Sequence, residues 1–206
     1  DTHTDAPLEF TPQFNLGHRE ASQVSLPKME EGHLDGQYLA CWVRQKALDE
    51  VHTQAAMRRV EELMSGIERQ IALNSDRCAL ARTADDLSRL KAAGKKAIYM
   101  GIENGYGVGT DLDVIRRYHQ RGVTYITLCH TRNNAICDSS SDTTQLWGGL
   151  SPYGRKVVKL MNKLGMLIDL SHASESTFWE VLKRSKRPVF ASHSSAKALF
   201  GHDRNL

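Results

Sequence analysis

Two hydrophobic patterns alternate along most of the chain: short continuous apolar runs, and longer segments whose apolar residues recur at helical spacing. The first pattern predicts buried strands at residues 38–43, 97–102, 123–129, 166–170 and 189–191. The second predicts helices at residues 47–73, 83–93, 111–121, 152–164 and 175–184. Strands that alternate with helices pair in parallel, and strands that are apolar on both faces are covered by helices on both sides. The pattern therefore predicts an α/β fold in one domain spanning residues 1–206, with a long loop at 8–36.

Polar side chains stand at the carboxyl ends of the predicted strands. His130, His172 and His193 each end an apolar run, and Glu103 ends another. In a closed β/α barrel the reactive groups come from the ends of several strands, whereas a doubly wound sheet gathers its site at one glycine-rich turn. No glycine-rich phosphate loop follows these strands, so the pattern favours a (β/α)8 TIM-like barrel. Such barrels take about 250 residues, so we expect the last strands and helices to lie outside these 206 residues.

Composition narrows the range of partners. The chain is 40% hydrophobic and 25% charged, and its formal net charge of +3 comes from interspersed charges. A nucleic-acid partner is not expected, because such proteins cluster lysine and arginine on one surface. No apolar run approaches the roughly 20 residues that cross a bilayer, so no transmembrane segment is expected. The compartment stays open, with export to a periplasm or cell surface favoured over the cytoplasm, and a homodimer is one option for assembly.

The chain opens on two metal-competent side chains, His3 and Asp5. Because they stand two apart on an extended segment, both point to one face and can bind one cation. With Glu103, His172 and His193 they supply three imidazoles and two carboxylates, more than one tetrahedral zinc ion uses. The set predicts two metal ions that share Glu103, with zinc favoured and manganese, cobalt or iron as alternatives. Such a pair holds a bridging hydroxide that can attack an amide carbonyl.

His130 is left over once those five ligands satisfy two metal ions. Its position at the end of a strand matches that of the other histidines. It can instead donate a hydrogen bond to the oxyanion that develops in the transition state.

Six segments carry a resemblance to a known family: DTHTD, GIENG, YITLCH, GLSPYGRKVV, MNKLGMLIDLSH and PVFASHSSAKAL, the last followed by an RN pair. They are similar to motifs of the membrane (renal) dipeptidases, which are zinc metallopeptidases of the amidohydrolase-like barrel superfamily. The most specific feature is LSH followed 21 residues later by SHSSA. The resemblance runs along the whole chain and is strongest over residues 97–205.

The resemblance implies a (β/α)8 barrel with a dinuclear zinc centre that hydrolyses dipeptides. It assigns His3 and Asp5 to one zinc ion, His172 and His193 to the other, and Glu103 to the bridge between them. The resulting hypothesis is a dipeptidase in which the metal-bridging hydroxide attacks the peptide bond.

The resemblance also assigns substrate contacts to two residues. His130 would act near the scissile carbonyl, and Arg204 would receive the terminal carboxylate of the dipeptide. A planar bidentate donor suits that second task. Asn133 and Asp138 match the loop after the substrate histidine, where a role in loop structure is favoured over catalysis.

Three departures from the family pattern bear on these assignments. Asn104 stands before Gly105, where the family carries two glycines after the bridging glutamate, but asparagine tolerates a positive φ. Arg132 replaces a cysteine of secreted mammalian relatives, so their disulfide is not expected. The family's late-strand aspartate, a proton-transfer partner, has no counterpart here. Either the sequence stops short of the natural chain, or this chain alone is not a competent enzyme.

Other polar residues have simpler structural interpretations. Asp169 is assigned a structural role, because alternation along its strand points it away from the neighbour of His172. Of the three tryptophans, Trp147, which lies in a glycine-flanked loop, is the one most expected to line a pocket. Cys129 is interpreted as a small core residue. The remaining histidines are expected in loops or on helix surfaces: His18, His33, His52, His119 and His202.

Two functional alternatives stand beside the dipeptidase. The first is a metal-dependent amidase of the same fold that acts on N-acyl amino acids. The second is a catalytically silent relative that uses the barrel for binding, which predicts degraded metal ligands.

Overall fold

The computed structural model describes all residues from Asp1 to Leu206. Five strands form one sheet: β1 (Gly36–Trp42), β2 (Cys78–Leu80), β3 (Lys96–Glu103), β4 (Val123–Thr127) and β5 (Leu167–Asp169). Six α-helices accompany them: α1 (Leu26–Glu31), α2 (Glu50–Leu73), α3 (Ala84–Ala92), α4 (Leu112–Arg121), α5 (Pro152–Leu164) and α6 (Glu175–Arg184). None of these helices combines the length and the apolar character needed to cross a lipid bilayer.

The sheet is parallel throughout and follows the order β1-β3-β4-β5, with β2 beside the start of β3. Residues 1–4 lie along β1 through backbone hydrogen bonds of 3.1 and 2.9 Å. On the far side, Phe190 makes a single parallel bridge with Asp169 of β5. The sheet is curved, so that these two outer segments meet. Thr2 Oγ1 donates a hydrogen bond of 2.7 Å to the carbonyl of Ser192. The predicted α/β fold with a parallel sheet is confirmed.

Local signals in the sequence set the helix boundaries. Thr83 Oγ1 accepts the N–H of Asp86, whose carboxylate accepts the N–H of Thr83, so the predicted capping box starts α3. Ser151 caps α5 directly before its proline. Gly122 and Gly165 end α4 and α5 with φ of 114° and 73°, a backbone conformation that glycine adopts at little cost.

Three short elements differ from the prediction. The predicted loop at 8–36 contains α1, whose six residues are too few to display a helical period. The three residues of β2 are likewise too short to stand out as an apolar run. The predicted strand at 189–191 is reduced to the bridge at Phe190, because β5 is its only paired neighbour.

The core lies between the sheet and the helices and contains 37 buried residues. From α2 it takes Val60, Met64 and Ile67, which confirms the apolar stripe predicted for this helix. The four cysteines are buried and unpaired, and Cys129 is a core residue as predicted.

Candidate metal centre

Strand register brings the predicted ligands to one rim of the sheet. Glu103 ends β3 and pairs with Thr127 of β4; Thr127 pairs with Asp169 of β5, and Asp169 bridges to Phe190. Each histidine stands three residues beyond one of these aligned positions: His130 after Thr127, His172 after Asp169 and His193 after Phe190. Equal offsets from aligned positions end at the same height on the sheet. The three imidazoles therefore converge above Glu103.

Glu103 lies at the centre of this cluster and is only 2% exposed. Its Oε2 is 3.4 Å from His3 Nε2, which lies 3.5 Å from Asp5 Oδ1. Its Oε1 is 3.0 Å from His172 Nε2 and 3.2 Å from His193 Nε2. The Nε2 atoms of His172 and His193 lie 3.0 Å apart. Each oxygen of the carboxylate thus faces its own set of donors.

These spacings fit a pair of divalent metal ions. Tetrahedral bonds of 2.0–2.1 Å place neighbouring ligand atoms roughly 3.3 Å apart, and the measured separations among these side chains run from 3.0 to 3.5 Å. Three imidazoles and two carboxylates are a donor set that zinc accepts. All five predicted ligands, those from residues 3, 5, 103, 172 and 193, are brought together.

The charge of the cluster centres on Glu103. Burial alone would raise the pKa of this carboxyl, but hydrogen bonds with His172, His193 and His3 hold it well below its usual range. For His3, burial lowers the pKa, while the hydrogen bonds with Asp5 and Glu103 raise it to about 9. Burial lowers the pKa of His172 to about 4, which leaves its imidazole neutral. An ionised carboxylate next to a neutral imidazole is a pair that a cation can bind.

His130 stands at the edge of the cluster. Its Nε2 lies 3.7 Å from Glu103 Oε1, and its ring centroid lies 4.1 Å from that of His172. The indole of Trp42, the last residue of β1, meets it edge-on at 5.7 Å. Glu103, His130 and His172 also offer ligand atoms within 4.8 Å of one another, as do His3, Glu103 and His193. The geometry therefore places His130 beside the candidate metal ligands, where it could either bind a metal or contact a substrate.

Arg204 reaches the same rim from the end of the chain. Its Nη2 donates a hydrogen bond of 3.2 Å to the carbonyl of His193. Its Nη1 is buried and has no partner in the chain. A buried guanidinium nitrogen with an unused donor is suited to an anionic ligand such as a carboxylate.

Two side chains behind the ligands were not singled out from the sequence. The hydroxyl of Tyr125, on β4, lies 3.0 Å from His3 Nδ1. Gly101 on β3 makes room for this ring, since a Cβ at that position would overlap it. Ser192 Oγ lies 2.7 Å from His193 Nδ1 and 2.7 Å from the carboxylate of Asp169. Asp169 therefore reaches a predicted ligand through Ser192, a connection that alternation along its strand did not indicate.

The loop after His130 is built as its sequence suggested. Asn133 Oδ1 accepts the N–H of Ser139, and the Asp138 carboxylate accepts the N–H groups of residues 146, 147 and 149. Asn104 adopts a φ of 82°, and its side chain accepts the N–H of Tyr106. The turn after Glu103 therefore forms with asparagine at the position where the family has glycine. These contacts give Asn133 and Asp138 structural roles.

The other candidates lie outside the cluster. Trp147 is largely exposed, and its Nε1 donates to the carbonyl of Asn134 rather than facing the ligands. His52 pairs with the N-cap residue Asp49 of α2, and His202 accepts the N–H of Arg204. No hydrogen bond or ion pair joins the remaining histidines to the cluster: His18, His33 and His119.

Comparison with known proteins gives one consistent result. A family model described as "Membrane dipeptidase (Peptidase family M19)" matches residues 1–206. Dipeptidase tcpJ of Claviceps purpurea is 38% identical over 202 residues, which is 96% of this chain and 46% of tcpJ. The chain spans about half the length of the curated relatives that it matches.

Two solved structures share the fold. The probable dipeptidase PvdM from Pseudomonas aeruginosa is 30% identical with a TM-score of 0.85, over 92% of this chain and 50% of PvdM. A metallo peptidase from Rhodobacter sphaeroides, liganded with a phosphinate mimic of the dipeptide L-Ala-D-Ala, is 25% identical with a TM-score of 0.86. That match covers 100% of this chain and 67% of the Rhodobacter chain. The fold class is therefore the predicted TIM-like barrel, of which this chain covers a part.

Proposed function

Because the chain belongs to the membrane dipeptidase family, peptidase family M19, we propose that the protein is a dinuclear zinc dipeptidase. The proposed reaction is hydrolysis of the peptide bond of a dipeptide. The observation that carries the proposal is the convergence of three histidines on Glu103, with Asp5 beside His3, at separations that metal bonds would produce. Every predicted ligand is intact, which speaks against a catalytically silent relative.

The proposed metal centre is divided by the two oxygens of Glu103. His3, Asp5 and Oε2 would hold one ion, and His172, His193 and Oε1 the other. When bound, the ions supply Lewis acidity and an activated water. Zinc is favoured because the ligands are imidazole nitrogens and carboxylate oxygens without thiolates.

The proposed substrate contacts are those of His130 and Arg204. Burial lowers the pKa of His130, so its imidazole is neutral and can donate one hydrogen bond to a carbonyl oxygen that gains charge. The unpartnered Nη1 of Arg204 can receive the carboxylate of the leaving amino acid. The phosphinate ligand of the Rhodobacter relative mimics L-Ala-D-Ala, so we include a D-residue on the leaving side among the proposed substrates.

Metal removal tests the proposed function directly. The purified protein is expected to hold two zinc equivalents, to lose L-Ala-D-Ala hydrolysis after dialysis against a chelator, and to regain it when zinc is added back. Zinc content is measured by elemental analysis and hydrolysis by release of free alanine. A preparation that stays fully active without metal would contradict the proposal.

A panel of substrates separates the proposed function from its alternatives. Dipeptides and N-acyl amino acids share the terminal carboxylate but differ in the free amine. Faster hydrolysis of dipeptides supports the dipeptidase, whereas faster hydrolysis of N-acyl amino acids would identify the amidase. A protein that binds zinc and hydrolyses neither class would be the silent relative.

Replacing Arg204 by alanine is expected to raise KM about 10- to 100-fold, with a smaller change in kcat. Hydrogen bonds to charged groups contribute about 1.5–3 kcal/mol, and an interaction made equally in the ground and transition states acts on KM. Initial rates across a dipeptide concentration series give both constants. Arg187→Ala, at an exposed position outside the cluster, is the matched control. An unchanged KM in the Arg204 variant would refute the assigned contact.

A further inference from the structure

Asp169 is a buried carboxylate surrounded entirely by donors. It is 0% exposed. Its Oδ1 accepts the backbone N–H groups of Ser171 and Ser192 at 3.0 and 2.9 Å. Its Oδ2 accepts the hydroxyls of Thr127 and Ser192 at 2.6 and 2.7 Å. No lysine or arginine pairs with this carboxylate, so hydrogen bonds alone hold it in place.

The hydroxyl of Ser192 has one proton, and its contacts determine where that proton goes. A carboxylate only accepts hydrogen bonds, so at Asp169 the proton must come from Ser192 Oγ. The same Oγ lies 2.7 Å from His193 Nδ1. With its single proton directed to Asp169, the oxygen can only accept there, and Nδ1 must be the donor. Ser171 Oγ supports the arrangement, since it accepts the N–H of His193 at 3.1 Å and lies 3.3 Å from Ser192 Oγ.

A proton on Nδ1 leaves the Nε2 of a neutral imidazole with a free lone pair. In His193 this atom faces Glu103 Oε1 at 3.2 Å and His172 Nε2 at 3.0 Å. That is the tautomer and the direction that a metal ligand requires. The other two imidazoles lack such a connection: Nδ1 of His3 meets only the hydroxyl of Tyr125, and Nδ1 of His172 is buried without a partner.

We propose that Asp169 and Ser192 are positioning residues that fix the tautomer and the orientation of His193 for metal binding. The inference rests on the metal centre of the proposed function and adds to it a relay running from carboxylate to hydroxyl to imidazole. According to this proposal, the zinc affinity of the site that contains His193 depends on Ser192 and Asp169, neither of which contacts the metal. Ser192 is the informative position, because it is only partly buried and carries the contact through one atom.

The test compares three variants of the protein: Ser192→Ala, Ser192→Thr and Ser194→Ala. Zinc affinity is measured by competition with a chromophoric chelator, and the His193 tautomer by ¹⁵N chemical shifts of the metal-free imidazole. Removing the partner of a ligating histidine costs about 10- to 100-fold in metal affinity. Ser192→Ala is expected to weaken one of the two zinc equivalents by this factor and to mix the tautomers. Ser192→Thr keeps the hydroxyl and is expected to restore both readouts.

Ser194→Ala is the control for the flanking position on the other side of His193. Its hydroxyl donates only to backbone carbonyls, so zinc affinity is expected to be unchanged. Unchanged affinity and tautomer in Ser192→Ala would overturn the relay, as would a loss that Ser192→Thr does not restore. Wild-type protein that binds no zinc would overturn the proposed function itself, and the relay with it. If wild type binds two equivalents and Ser192→Ala binds both with the same affinity, the relay alone is defeated.

Discussion

Replacing Glu103 by glutamine is expected to abolish metal binding at both positions and to lower kcat/KM by about 10³-fold or more. The amide has nearly the same shape as the carboxylate, but it removes the charge and one of the two oxygens that face His3, His172 and His193. Bound metal ions supply several kcal/mol of transition-state stabilisation, and each 1.36 kcal/mol corresponds to about a tenfold change in rate. Zinc content and dipeptide hydrolysis, measured on the same preparation, check both parts of this prediction.

The matched control is Glu62→Gln on the exposed face of α2. Glu62 forms a surface ion pair with Arg59, and such pairs contribute about 0–1 kcal/mol. We expect this variant to keep its zinc and its activity. Two zinc equivalents retained in the Glu103→Gln protein would mean that this carboxylate does not bridge the centre.

Replacing Asp138 by alanine is expected to lower the free energy of unfolding by about 3 kcal/mol. The carboxylate is 1% exposed and accepts the N–H groups of Leu146, Trp147 and Gly149, which holds the loop after His130 closed. A buried donor left without a partner costs about 1–3 kcal/mol. Denaturant titration followed by circular dichroism measures the change in unfolding free energy.

The control for this prediction is Asp76→Ala, at an exposed position without a hydrogen-bond partner. The denaturant concentration at the midpoint of unfolding is expected to be the same for this variant as for the wild type. If Asp138→Ala kept wild-type stability but lost activity, Asp138 would belong to the chemistry rather than to the loop.

The main elements and the candidate metal ligands follow from the same pattern in the sequence, for one physical reason. Buried strands are continuous apolar runs, and each run stops where a side chain must face the rim, so Glu103, His172 and His193 mark both the strand ends and the site. The three-residue β2 and the six-residue α1 were missed because neither is long enough to show a period.

The supporting layer of the site could not be predicted in this way. The alternation of residues along one strand predicts the face of the sheet on which a side chain lies. It does not predict which residue of the adjacent strand that side chain contacts. Asp169 reaches His193 through Ser192, which belongs to the adjacent segment, and Tyr125 reaches His3 across the curved sheet. Both contacts depend on how far the sheet bends, a property that no single stretch of sequence carries.

The meeting of the two outer segments of the sheet has a consequence for folding. His3 and His193 are 190 positions apart, yet the centroids of their rings lie 4.0 Å apart. A chain made from its amino end offers His3, Asp5 and Glu103 long before His193 is synthesised, and contacts at such separation form late. Of the two proposed ions, the one assigned to His3, Asp5 and Glu103 would have its ligands early, whereas the one assigned to Glu103, His172 and His193 would lack two of its ligands until late. We therefore expect the ion assigned to His172 and His193 to bind only after the fold is complete, and not to start folding.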